Sequence, residues 1–145
     1  MKCSKIISAV LAAIMTIGMA TVASANELSS ALDTEIVMPA YEIANNPVSQ
    51  LSISGTTATC TSKTNGTSVK SITAEQTLEK YWGLWIWNEV DGANWSKTVK
   101  ANNLYMTNNK SGLDSGTYRL KTVFTLTAND GTTETITVYS QEKII

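Results

Sequence analysis

The chain has no histidine at all among its 145 residues, and only two cysteines, two prolines and one phenylalanine. Each scarcity excludes something. Without histidine there is no Ser-His-Asp triad, no Cys-His dyad and no zinc site built from Cys and His. One of the two cysteines, Cys3, lies in an N-terminal segment that reads as a leader, so Cys60 has no partner for an internal disulfide in the mature chain. Charge is also sparse, with 11 basic and 12 acidic residues interspersed along the chain. Nothing forms the basic stripe that nucleic acid or an anionic membrane requires.

Residues 1–25 carry a secretory pattern: Lys2 and Lys5, an apolar run from Ile6 to Val22, and the small residues Ala23-Ser-Ala25. The run is interrupted by Ser8, Thr16 and Gly18, which argues for a cleaved signal peptide over a membrane anchor. Cys3 precedes the run, so it is not placed as a lipoprotein cysteine, and the tail from Ser140 to Ile145 shows no anchoring pattern. The expectation is a secreted, extracellular product starting near Asn26, with no membrane insertion of the mature chain. Its length of about 120 residues suits one domain, and its net charge is about −3 once Lys2 and Lys5 are removed.

What the sequence has in abundance is threonine in alternating patterns. Residues 26–50 read as an irregular lead-in, punctuated by Pro39, Pro47 and Asn45-Asn46, with Ala31 to Met38 reading equally as a brief helix or an edge strand. From Leu51 onward strand signals follow one another to the end, so residues 51–145 are assigned to one β domain. The clearest is the C-terminal hairpin: Tyr118, Leu120, Thr122, Phe124 and Leu126 share one parity, and Ile136 and Val138 continue it beyond Asn129-Asp-Gly131. Asn65-Gly66 predicts another hairpin, Ser68 to Lys80 a long strand with Ile72, Ala74, Gln76 and Leu78 on one face, and Leu84 to Trp87 the start of the next. Asp91-Gly92 predicts a turn before a short strand from Trp95 to Val99, and Leu104 to Met106 a further one. The sum is an all-β, antiparallel, immunoglobulin-like β-sandwich of about seven or eight strands.

Asp114-Ser-Gly116-Thr-Tyr118-Arg-Leu120 resembles the Asp-x-Gly-x-Tyr-x-Cys run of the immunoglobulin fold. The resemblance implies that Tyr118 is a tyrosine corner, bonding its hydroxyl to nearby backbone. It also places Leu120 where the second disulfide cysteine stands, with Cys60 in the position of the first. More broadly, the blocks Leu51–Cys60, Gln76–Lys80, Trp95–Val99, Gly112–Thr122 and Glu134–Ser140 resemble an uncharacterised family of small secreted proteins of Gram-positive, clostridia-like bacteria. That resemblance implies a bacterial, secreted β-sandwich and brings no catalytic residues.

The densest feature is Tyr81-Trp82-Gly83-Leu84-Trp85-Ile86-Trp87. A strand starting at Leu84 would send Trp85 and Trp87 to one face and Leu84 and Ile86 to the other, leaving large apolar side chains for a partner. Trp85 and Trp95 are expected in the core, and Tyr81, Trp82 and Trp87 as the contact patch of a non-catalytic binding module. The expected ligand is an extracellular glycan, stacked on the rings, or a protein surface. A secreted toxin or antimicrobial effector is the alternative, and an enzyme ranks third.

Other residues read as structural. Cys60 has uncharged neighbours and reads as a buried small hydrophobe rather than a redox thiol or an interchain bridge. Glu75 and Glu79 share a strand face roughly 13 Å apart, too far to act together on one glycosidic bond, and read as solvated charge. Asp91, Asp114 and Asp130 fit turn chemistry better than Ca²⁺ ligation. Asn65, Asn94 and Asn109 match the glycosylation pattern, which a bacterial source would make incidental. No cofactor is expected.

Overall fold

The computed structural model describes residues 41–145, and the leader and the first part of the lead-in lie outside them. Eight strands run through this region: β1 (Ala44–Ser54), β2 (Thr57–Gly66), β3 (Val69–Gly83), β4 (Ile86–Val99), β5 (Asn103–Lys110), β6 (Thr117–Ala128), β7 (Thr133–Tyr139) and β8 (Lys143–Ile144). They form two antiparallel sheets, one ordered β1-β2-β5 and the other β4-β3-β6-β7, with β8 pairing the start of β6. The all-β sandwich expected from the alternating threonines is what the chain builds.

The period-two pattern explains the faces. Along β6 the inward residues Tyr118, Leu120, Thr122, Phe124 and Leu126 are buried and alternate with half-buried outward ones. β3 does the same with Ile72, Ala74, Gln76 and Leu78. The core is two apolar clusters. One gathers Ile72, Ala74, Met106, Phe124, Leu126 and Ile136, and the other Leu51, Cys60, Leu78, Tyr118 and Leu120. Gln76, Ser62 and Thr122 occupy the inward positions between the clusters on β3, β2 and β6. They form a continuous hydrogen-bonded chain from one sheet to the other. Asn108 Nδ2 donates to Gln76 Oε1 (2.8 Å), Gln76 Nε2 to Ser62 Oγ (2.7 Å), and Ser62 and Ser49 both bond the Thr122 hydroxyl, at 2.7 and 2.9 Å. Among the described residues no buried side-chain polar atom is left unpartnered, so the desolvation of this layer is offset by its hydrogen bonds.

Tyr118 Oη donates to Asp114 O at 2.7 Å, the bond expected of a tyrosine corner. Cys60 is fully buried in the same cluster as Leu120, and burial pushes its thiol up to about 12.

Four expectations need correction. The lead-in does not extend to residue 50, because β1 already begins at Ala44. Pro47 is accommodated there at a register shift between Asn45 and Val48, on an edge strand, where a missing ladder donor is tolerated. Asn65-Gly66 is not a hairpin turn but the end of β2, from which the chain crosses to the other sheet. Gly66 is needed for space, since a Cβ there would overlap the Val69 side chain. Asp91-Gly92 is not a turn between strands but a bulge inside β4: the residues from Glu89 to Asn94 face only Thr77 to Glu79, and Gly92 has φ 65°. Finally, Leu84 and Trp85 do not begin a strand. They are themselves the loop of the β3–β4 hairpin.

Candidate functional site

That hairpin organises the aromatic residues. β3 and β4 are the two longest strands, and their pairing continues through Tyr81↔Trp87 to Gly83↔Ile86. Only two residues remain for the reversal, and a two-residue loop of this kind takes positive φ at both positions. Leu84 has φ 51° and Trp85 φ 66°. Asn and Gly are the residues suited to such a loop, and large side chains are disfavoured there. Both side chains stand in solvent, Leu84 88% and Trp85 90% exposed, with Ile86 and Trp82 also exposed beside them. Trp85, expected in the core, is thus the most exposed tryptophan of the chain. In the sequence Gly83 reads as the break and Leu84 as the start of a strand, whereas the reversal falls on Leu84-Trp85 and leaves Trp85 on no strand face.

Tyr81 and Trp87 are brought together on the outer face of the β4-β3-β6-β7 sheet, ring centroids 5.2 Å apart and planes at 53°. The Tyr81 hydroxyl lies under the loop, accepting from Trp85 N at 3.5 Å. Trp82 is not part of that pair. One residue on from Tyr81, it follows the parity of Lys80, whose Nζ lies 5.5 Å from the Tyr118 ring on the inner side. There it lines a shallow cleft of about 150 Å³ with Glu89, Lys110 and Asp114. The three expected contact residues therefore serve two faces of one hairpin. Trp95 is half-buried and packs against both apolar clusters, in keeping with its expected core role.

Three neighbours of Trp87 had no signal as a group in the sequence. The Arg119 guanidinium lies over the Trp87 ring at 4.1 Å and over the Tyr139 ring at 4.2 Å, and its Nε bonds Glu79 Oε2 at 2.6 Å. Glu79 is buried, not solvated as expected, because β6 places Arg119 directly opposite it and the two rings close over the pair. This stack fixes Trp87 from one side. Arg119 and Tyr139 come from strands distant in sequence, and only the register joins them.

On the other side of Trp87 a cleft of about 270 Å³ opens, lined by Tyr81, Trp85, Trp87, Thr117 and Glu142. Thr117 pairs with Ile144, so the short strand β8 carries Glu142 to the mouth of this cleft. Glu142 is exposed, and the Glu79–Arg119 contact is the one ion pair among the described residues, so its carboxylate has no cationic partner there. Elsewhere Glu134 on β7 accepts from the backbone N–H groups of Glu42, Ile43 and Ala44 at 2.9–3.1 Å, and Asp130 follows turn chemistry. Asp130 accepts from Thr132 N at 2.9 Å, which lowers its pKa.

No family model matches the chain, and comparison with curated proteins gives no match.

Proposed function

We propose that this is a secreted, non-catalytic binding module that meets an extracellular surface with the β3–β4 hairpin. The observation that carries this reading is the loop itself. Leu84 and Trp85 combine a backbone conformation disfavoured for large residues with nearly complete exposure of both side chains. A stability-driven sequence would place Asn-Gly there, and strain of this kind points to a role for the side chains. Exposed large apolar residues clustered at one tip act as anchors when a partner desolvates them.

The aliphatic Leu84 and Ile86 favour a protein surface as the partner, since sugar rings stack on aromatic faces and gain little from branched side chains. A glycan is the second reading, favoured by the exposure of three aromatic side chains, Tyr81, Trp82 and Trp85, on one hairpin. The non-catalytic part of the reading is supported by the absence of histidine and by a thiol that burial keeps protonated. The test is retention of the purified protein on protein-bearing and protein-stripped cell-surface fractions, with a Trp82→Ala/Trp85→Ala variant alongside. Retention on the protein-bearing fraction alone, lost in the variant, is expected. Retention that survives both substitutions would remove the hairpin from the reading.

A further inference from the structure

We propose that the cleft between Tyr81, Trp85, Trp87, Thr117 and Glu142 is a binding site for a quaternary ammonium group. The proposal rests on the hairpin being the contact element, and it names the chemistry that one part of that element recognises.

Three of the five lining residues are aromatic, contributed by β3, β4 and the loop between them. A cation placed within about 6 Å of such ring centroids is attracted by the negative π-faces. Tyr81 and Trp87 are tilted at 53° rather than coplanar. Two flat sugar contacts prefer rings in one plane, whereas this tilted pair, with the exposed Trp85 side chain also at the cleft, suits a compact, roughly spherical group. The fourth side is the carboxylate of Glu142, the single charge in the lining, and it has no ion-pair partner among the described residues. The cationic Arg119 does not compete for it, because its Nε is held by Glu79 and its plane is stacked between Trp87 and Tyr139.

The aromatic share of the lining favours a quaternary over a primary ammonium. A primary ammonium brings three donors that must find acceptors once water leaves. The cleft offers the Glu142 carboxylate and the Thr117 and Tyr81 hydroxyls, the last already accepting from Trp85 N, and the remainder of the wall is aromatic. A tetraalkylammonium has no donors to satisfy, presents methyl groups to the rings, and needs one counter-charge. Choline and lipid-borne phosphocholine are two sources of the same group.

The experiment titrates the intact mature protein with choline and, separately, with 3,3-dimethyl-1-butanol, its uncharged isostere, following tryptophan fluorescence and the indole N–H resonances. Saturable choline binding that perturbs the Trp85 and Trp87 signals is expected, with the alcohol at least about tenfold weaker. Glu142→Gln should weaken choline about tenfold and leave the alcohol unchanged. Tyr105→Ala, which removes an exposed ring from β5 in the other sheet, should leave both unchanged and thus controls for the loss of a surface aromatic. Equal affinity for choline and the alcohol, or no saturable choline signal, overturns the proposal. Vesicles of phosphatidylcholine and of phosphatidylglycerol then separate the sources: preferential sedimentation with the former assigns the group to a lipid headgroup, and its absence beside choline binding assigns it to a soluble or polymer-borne carrier. Loss of choline binding with surface retention intact would refute this site alone, whereas retention that survives Trp82→Ala/Trp85→Ala refutes the contact role of the hairpin.

Discussion

The Nε of Arg119 donates to Glu79 Oε2 at 2.6 Å, and the guanidinium so held is covered by Trp87 on one side and Tyr139 on the other. Both partners are largely removed from water, with 23% and 8% of their side chains exposed. Arg119→Ala leaves the buried Glu79 carboxylate without its counter-charge and uncovers the Trp87 ring. The expected loss is about 2–4 kcal/mol, below the upper range for fully buried pairs because Arg119 keeps some contact with solvent. Arg119→Lys should recover less than half of it, since an ammonium neither stacks between two rings nor reproduces the planar geometry. Chemical denaturation of the two variants measures this, and equal stabilities of wild type and Arg119→Ala would mean the stack contributes nothing.

Leu120→Ala should cost about 2–5 kcal/mol, because the side chain is fully buried in the cluster that holds Cys60 and no disulfide braces the sheets there. A change below about 0.5 kcal/mol would contradict the assignment of the β6 faces.

Cys60 sets a dependence on alkaline pH. Its thiol is raised from 9.0 to about 12 in the folded chain by burial. Between those values the unfolded chain releases a proton that the folded chain keeps. Stability must therefore fall as pH rises from about 9 towards 12, and be indifferent to this group below that window. Cys60→Ala removes this part of the slope. In the native state at neutral pH a maleimide should label Cys60 slowly, at a rate that follows unfolding. Rapid labelling would contradict the burial.

Much of the fold was legible because its signals are local. β6 and β7 announce themselves by strict alternation about Asn129-Asp-Gly131, and the tyrosine corner by seven consecutive residues. The polar layer was half visible: Gln76 and Thr122 stand on apolar faces in the sequence, but their joining through Ser62 depends on which strands face each other across the sandwich. The errors have one physical origin. Asn65-Gly66 and Asp91-Gly92 carry turn chemistry, yet at Gly66 the missing side chain serves a close approach and at Gly92 the positive φ serves a bulge. At Leu84-Trp85 the reverse holds, a turn made from residues with no turn propensity. The candidate site inherited that error for Trp85 and could not include Arg119, Tyr139, Thr117 or Glu142, which reach the hairpin through β6, β7 and β8.

The most direct test of the hairpin as a contact element is therefore to give the loop the residues its backbone favours. In Leu84→Asn/Trp85→Gly the positive φ values are retained and the strain is relieved, so the protein should gain about 1–3 kcal/mol of stability in denaturant. The same variant should lose retention on cell-surface fractions by about tenfold or more, the removal of two anchor residues. A gain in stability with a loss of binding is the result the structure predicts. Unchanged retention in a variant that folds normally would contradict it, and would leave the exposed loop without a role in recognition.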